Sequence, residues 1–111
     1  MPITNPDYSD LNYEEMAKTI GLKPKHMPMH IGSFLDEAAP ILETLSVAIA
    51  SNDYATVKTA AHSIKGSAGN LRFNEIYEMS KELEHAGAAA DSSFEYTNYL
   101  EAIKQAIATI K

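Results

Sequence analysis

Asp53-Tyr54-Ala55-Thr56-Val57-Lys58-Thr59-Ala60-Ala61-His62-Ser63-Ile64-Lys65-Gly66-Ser67-Ala68-Gly69-Asn70-Leu71 is the stretch whose periodicity settles the fold class. At about 100° per residue, Val57, Ala60, Ile64, Ala68 and Leu71 gather on one helical face. Asn52 and Asp53 supply a turn and a cap ahead of it. His62 points away from that face, about 160° from Ile64, and Lys58, Thr59, Lys65, Gly66 and Gly69 share its side. The histidine therefore stands in solvent, three residues from a lysine and four from a glycine, which are neighbour spacings on a helix. Each glycine in a helix interior costs about 1 kcal/mol relative to alanine. No packing need explains Gly66 on an exposed face, and local rules that fail together mark function.

The flanking segments carry the same period. Upstream, a helix over about 29–51 sets Ile31, Leu35, Ala38, Leu42, Leu45 and Ile49 on one stripe, with Pro40 expected to kink it rather than end it. Downstream, Asn74 is expected to cap a helix in which Ile76, Met79, Leu83 and Ala86 keep the spacing until Gly87. Ser92-Ser93-Phe94-Glu95 has the capping-box pattern and opens a last helix through Tyr96, Tyr99, Leu100, Ile103, Ile107 and Ile110. Towards the N-terminus, residues 1–8 read as a tail. A short helix over about 9–20, capped by Ser9 or Asp10, closes at Gly21, and Pro24 and Pro28 hold the connection open. No alternating β-branched segment bounded by turns occurs. The expectation is an all-α domain over 9–111, an antiparallel four-helix bundle with a short extra N-terminal helix.

Composition narrows the function. With 111 residues the chain has room for one domain, and 45% hydrophobic residues suffice for one core. Zero cysteines exclude a disulfide framework, thiol catalysis and Cys-ligated zinc. Nine Lys and Arg against fifteen Asp and Glu argue against nucleic acid as the main partner. No apolar run approaches the ~20 residues of a membrane span, and no signal pattern is present, so a cytoplasmic protein is expected. His26 and His30 have the spacing of a helical metal pair, but Pro28 between them makes a loop or helix entry the better reading; no metal or cofactor is expected. His85 reads as an exposed residue near a helix end. Residues 54–74 hold Lys58, Lys65 and Arg72 and no acid, a basic patch around His62 on a chain of net charge −6.

A neutral imidazole is a nucleophile near neutral pH, and its ring nitrogen can accept a phosphoryl group from an acyl phosphate. Lys65, one turn along, offsets charge on the phosphoryl oxygens. Gly66 leaves space for a second protein to bring its own active site within attacking distance. Such transfer depends mostly on positioning and charge neutralisation, so one domain need not hold all the machinery.

Ala61-His62-Ser63-Ile64-Lys65-Gly66-Ser67-Ala68-Gly69-Asn70-Leu71 closely resembles the phosphorylation motif of histidine-containing phosphotransfer (HPt) domains. The likeness is strongest over about 50–87, including Ser80-Lys81-Glu82-Leu83-Glu84, and extends more loosely from about residue 10 to the end. It implies a multistep phosphorelay intermediate that takes a phosphoryl group from a receiver-domain aspartate and passes it to another receiver, without kinase activity and without nucleotide. By position His62 is the phosphoacceptor, Lys65 the charge-stabilising residue and Gly66 the clearance residue; Lys58, Thr59 and Gly69 fall on the partner-facing side. Many family members carry a glycine directly after the leucine, where this chain has Arg72. Several also have a glutamine on the next helix that supports the histidine ring, and the matching place here is Glu84, placed to accept from the other ring nitrogen and fix the tautomer. The rival expectation is a binding module that docks or sequesters a receiver without accepting phosphate; the intact His62, Lys65 and Gly66 set the two apart. The partners expected are receiver domains of a hybrid histidine kinase and a response regulator. The chain is expected to be a monomer and, from Met1 and the complete bundle, free-standing.

Overall fold

The computed structural model describes residues 2–3 and 6–110. Five α-helices follow one another: α1 (Tyr13–Ile20), α2 (Met27–Ala50), α3 (Tyr54–Asn70), α4 (Asn74–Ala88) and α5 (Tyr96–Ala108). A 3-10 turn, Pro24–His26, leads into α2. No strand occurs among the described residues, and α2 to α5 form the expected helical bundle with α1 as the extra N-terminal helix. The body measures 43 × 22 × 19 Å. No described helix is long and apolar enough to cross a membrane.

The helix starts correct several expectations. Helix α1 begins at Tyr13, because Asn12 rather than Ser9 or Asp10 caps it, its Oδ1 accepting from the Glu15 amide at 3.1 Å. Pro28 does not keep a connection open. It sits in the first turn of α2, where its missing N–H is no loss. Asn74 is the first residue of α4 and not its cap; Phe73 holds the cap position without a side-chain bond. The capping box at Ser92–Glu95 does not form. Asp91 Oδ1 accepts instead from the Ser93 amide at 2.9 Å and the Ser93 hydroxyl at 2.6 Å, and α5 starts only after Glu95. Asp53 does cap α3, accepting from the Thr56 amide at 3.2 Å and its hydroxyl at 2.6 Å.

The helix ends share one device. After α2, α3 and α4 the chain turns through a left-handed residue, Asn52 (φ 56°), Arg72 (φ 62°) and Ala90 (φ 50°). In each case the following amide donates back across six residues: Asp53 to Ala48 O at 2.8 Å, Phe73 to Ala68 O at 3.0 Å and Asp91 to Ala86 O at 3.0 Å. The left-handed residues themselves donate to Ile49, Gly69 and Gly87 carbonyls, which completes a Schellman motif three times. Glycine is the usual occupant, and its absence costs on the order of 1 kcal/mol per site. Among the described helices only α1 ends on a glycine, Gly21 at φ 83°.

Gly87, expected to end the fourth segment, lies inside α4 and is buried. A Cβ built there would stand 2.9 Å from the Lys58 amide nitrogen and 3.0 Å from the Tyr54 carbonyl oxygen. The glycine is thus what lets the end of α4 press onto the first turn of α3. Around this pair the core fills with Val57, Ile64, Ile76, Met79, Leu83, Tyr99 and Ile103, each at most 1% exposed. From α2 come Phe34, Ala38, Leu45 and Ala48 as well as Ile31, while Leu35, Leu42 and Ile49 of the expected stripe are only partly buried. Tyr8, read with the tail, is 8% exposed and packs edge-on against Phe73 with ring centres 4.7 Å apart. Of the tail, residues 1, 4 and 5 lie outside the described residues.

Candidate functional site

Helix α3 buries two flanks, Val57, Ala60, Ile64 and Ala68 together with Ala61, between α2 and α4. What remains outside is a ridge, and His62 stands on it with 65% of its side chain exposed. Gly66, one turn on, is also exposed, and a Cβ there would meet nothing within 4 Å. The ridge slopes both ways. On one side Ser63, Gly66, Ser67 and Asn70 of α3 face Glu37, Pro40 and Ile41 of α2 across a shallow cleft of about 600 Å³ that His62 itself lines. On the other side Lys65 and Gly69 lean towards α4.

Glu84 of α4 joins the two ionisable residues of the motif. Its Oε2 lies 2.8 Å from His62 Nδ1 and its Oε1 2.6 Å from Lys65 Nζ. The carboxylate is only 14% exposed and Lys65 21%, so the pair sits in the seam between α3 and α4. The Lys65 ammonium bonded to Glu84, aided by the His62 ring and against the effect of burial, holds the Glu84 carboxyl below the usual carboxylate range. An ionised carboxylate only accepts, so Nδ1–H donates to Glu84, and in the neutral ring it is Nε2 that holds the lone pair. Lys65 is therefore not a freely solvated charge: Glu84 binds it.

The other sequence candidates fall as follows. Lys58 and Thr59 are exposed on α3, and the Thr59 hydroxyl donates to the Ala55 carbonyl at 3.1 Å. Thr59 also lines a groove with Pro40, Ile41, Thr44 and Thr56, so it faces α2, away from Lys65. Gly69 is half-buried, and a Cβ on it would come within 3.1 Å of the Tyr77 ring; unlike Gly66, it has a packing reason. His26 precedes α2 and His30 lies inside it, and no group of three metal-ligating side chains occurs among the described residues. His85 is exposed near the end of α4.

Sequence reasoning missed the contribution of α2. Pro40 borders the cleft beside His62 and the grooves running along α2 and α3, and Val47, off the apolar stripe, is 64% exposed. A proline in mid-helix and an apolar residue outside the stripe were the available signals.

An exposed imidazole held by a carboxylate on an open ridge can act as a nucleophile toward a group that a second protein brings to it. Comparison with known families agrees: residues 31–110 match the Hpt domain, and the chain belongs to that family. No curated protein and no solved structure matches. Hpt domains are phosphocarrier modules of two-component signalling, not kinases, and they interact with receiver domains. The match begins at Ile31, so α1 and the Pro24–His26 turn lie outside it.

Proposed function

We propose that this chain is a phosphorelay intermediate in which His62 Nε2 takes the phosphoryl group of a receiver aspartate and hands it to a second receiver. The observation that carries this reading is the Glu84 carboxylate bridging His62 and Lys65. With Nδ1–H held by Glu84, the Nε2 lone pair attacks phosphorus and the bond to the aspartate carboxylate oxygen breaks, releasing the carboxylate. The phosphoimidazolium formed keeps its Nδ1 proton against Glu84, so neutral imidazole can leave when the next aspartate attacks. Lys65 neutralises the phosphoryl oxygens, exchanging Glu84 for them as the group arrives. Open space above Gly66 admits the donor's active site, and the α2–α3 cleft beside it receives the docking receiver. A cytoplasmic monomer suits such a carrier, which works by exchanging partners.

The test is incubation with receiver domains phosphorylated by acetyl phosphate, with acid lability as the mark of phosphohistidine. Label is expected on the parent chain and not on His62→Gln, whose stability should stay within about 0.5 kcal/mol because the ring is exposed. A chain that binds phosphorylated receivers yet takes no label would be a docking module instead, and labelling of the variant would move the acceptor elsewhere.

A further inference from the structure

Arg72 is a residue the phosphotransfer reading does not use. It holds a left-handed conformation (φ 62°) that favours glycine, in the turn between α3 and α4. Its backbone amide closes the turn on Gly69 O at 3.1 Å, and its guanidinium donates to the same carbonyl at 2.8 Å. One bond to a carbonyl uses a single N–H of the five that guanidinium offers. Arg72 as a whole is exposed. Neither Arg72 nor Lys58 is ion-paired among the described residues, whereas Lys65 is bound to Glu84.

Position gives this charge its meaning. Arg72 lines a cleft of about 440 Å³ together with Lys65, Gly66, Asn70, Asn74 and Tyr77. No acidic residue lines it. Gly66 and Asn70 are shared with the cleft on the other flank of the ridge, the one that His62 lines. A protein seated over His62 and Gly66 therefore overhangs both flanks, one bordered by Glu37, Pro40 and Ile41 and the other carrying Lys65 and Arg72. Lys58 and Lys65, seven residues apart on α3, lie on one side of the helix, and Arg72 follows in the turn beyond its end.

We propose that Arg72 is a specificity-determining contact that selects receivers carrying an acidic side chain on a loop flanking the phosphoaspartate. The proposal rests on the phosphotransfer reading above and names the partner chemistry of the same face. A guanidinium suits a carboxylate through paired N–H donors. As a charge at the rim it acts on encounter and on salt dependence, not on the transfer step inside the complex.

The experiment compares the parent chain with Arg72→Gly and Arg72→Lys against a panel of receiver domains phosphorylated with acetyl phosphate, at low and high salt. Arg72→Gly puts the usual residue into the left-handed turn, so the fold is retained and a melt verifies it. For receivers with an acidic flanking loop the second-order transfer constant of Arg72→Gly should fall by about three- to tenfold at low salt. The deficit should close at high salt, and Arg72→Lys should restore most of the rate. Receivers with a neutral loop should not distinguish the three proteins, and the single-turnover rate at saturation should be unchanged. Equal constants and equal salt slopes for the parent and Arg72→Gly would overturn the proposal while leaving His62 as the acceptor. A lower rate at saturation would overturn it too, by placing Arg72 in the transfer step. Absence of label on the parent chain from every receiver would sink the phosphotransfer reading and this proposal with it.

Discussion

Gly66 and Gly69 lie three residues apart on α3 and illustrate how the same residue type answers different needs. An added methyl at Gly66 meets only solvent, while at Gly69 it comes within 3.1 Å of the Tyr77 ring. Gly66→Ala is therefore expected to raise stability by up to about 1 kcal/mol, and Gly69→Ala to gain less because Tyr77 has to give way. Denaturant midpoints of the two variants check this. Gly66→Gln should likewise keep the helix, yet its side chain would fill the space beside the His62 ring and slow phosphotransfer. Opposite signs for folding and transfer are the expected signature. A Gln variant that transfers at the parent rate would remove steric clearance as the reason for the glycine.

At the scale of the helices, the α3–α4 pair carries the site. Its seam places Glu84 between His62 and Lys65, and its closeness depends on Gly87, where a Cβ would fall 2.9 Å from one backbone nitrogen and 3.0 Å from a carbonyl oxygen of α3. Backbone cannot rotate aside as a side chain can, so Gly87→Ala should force the helices apart and cost about 1–3 kcal/mol. Urea unfolding measures the loss. The same substitution in an isolated helix would stabilise it, so a neutral or stabilising result would show that the two helices need no such approach. Gly87 was read as a helix stop because glycine after a periodic run usually is one; the chain ends α4 through Ala90 instead.

Across the whole molecule, the segment before α1 ties one end of the bundle together. Tyr8 packs on Phe73, which also meets Phe34 of α2 with ring centres 5.4 Å apart. The Tyr8 amide donates to Thr109 Oγ1 at 2.9 Å, and its hydroxyl donates to the Glu75 carboxylate. Burial, with that carboxylate, pushes the phenol up, so it stays protonated and able to donate. Tyr8→Ala should cost about 2–4 kcal/mol through the lost ring, and Tyr8→Phe only about 1 kcal/mol through the lost hydrogen bond. Thermal or chemical melts of the two variants distinguish packing from bonding, and a silent Tyr8→Ala would mean that the segment does not hold the bundle end.

By itself the sequence determined the helices and the place of the motif. Apolar residues at a period near 3.6 define a buried face whatever the neighbours are, and the exposure of His62 follows from the same arithmetic. Asp53 as a cap and Gly21 as a stop were legible because each acts through its own local bonds. The starts of α1, α4 and α5 were not, since Asn12, Phe73 and Asp91 won their roles through turns and contacts that several candidate residues nearby also fit. Tertiary structure alone decided that Lys65 is bound to Glu84 and not free, that Gly87 lies at a helix crossing, and that Pro40 borders the His62 cleft. Each of these joins residues on different helices, and the rotation and separation of packed helices are set by how side chains interlock across them, which the periodicity of any one helix does not encode.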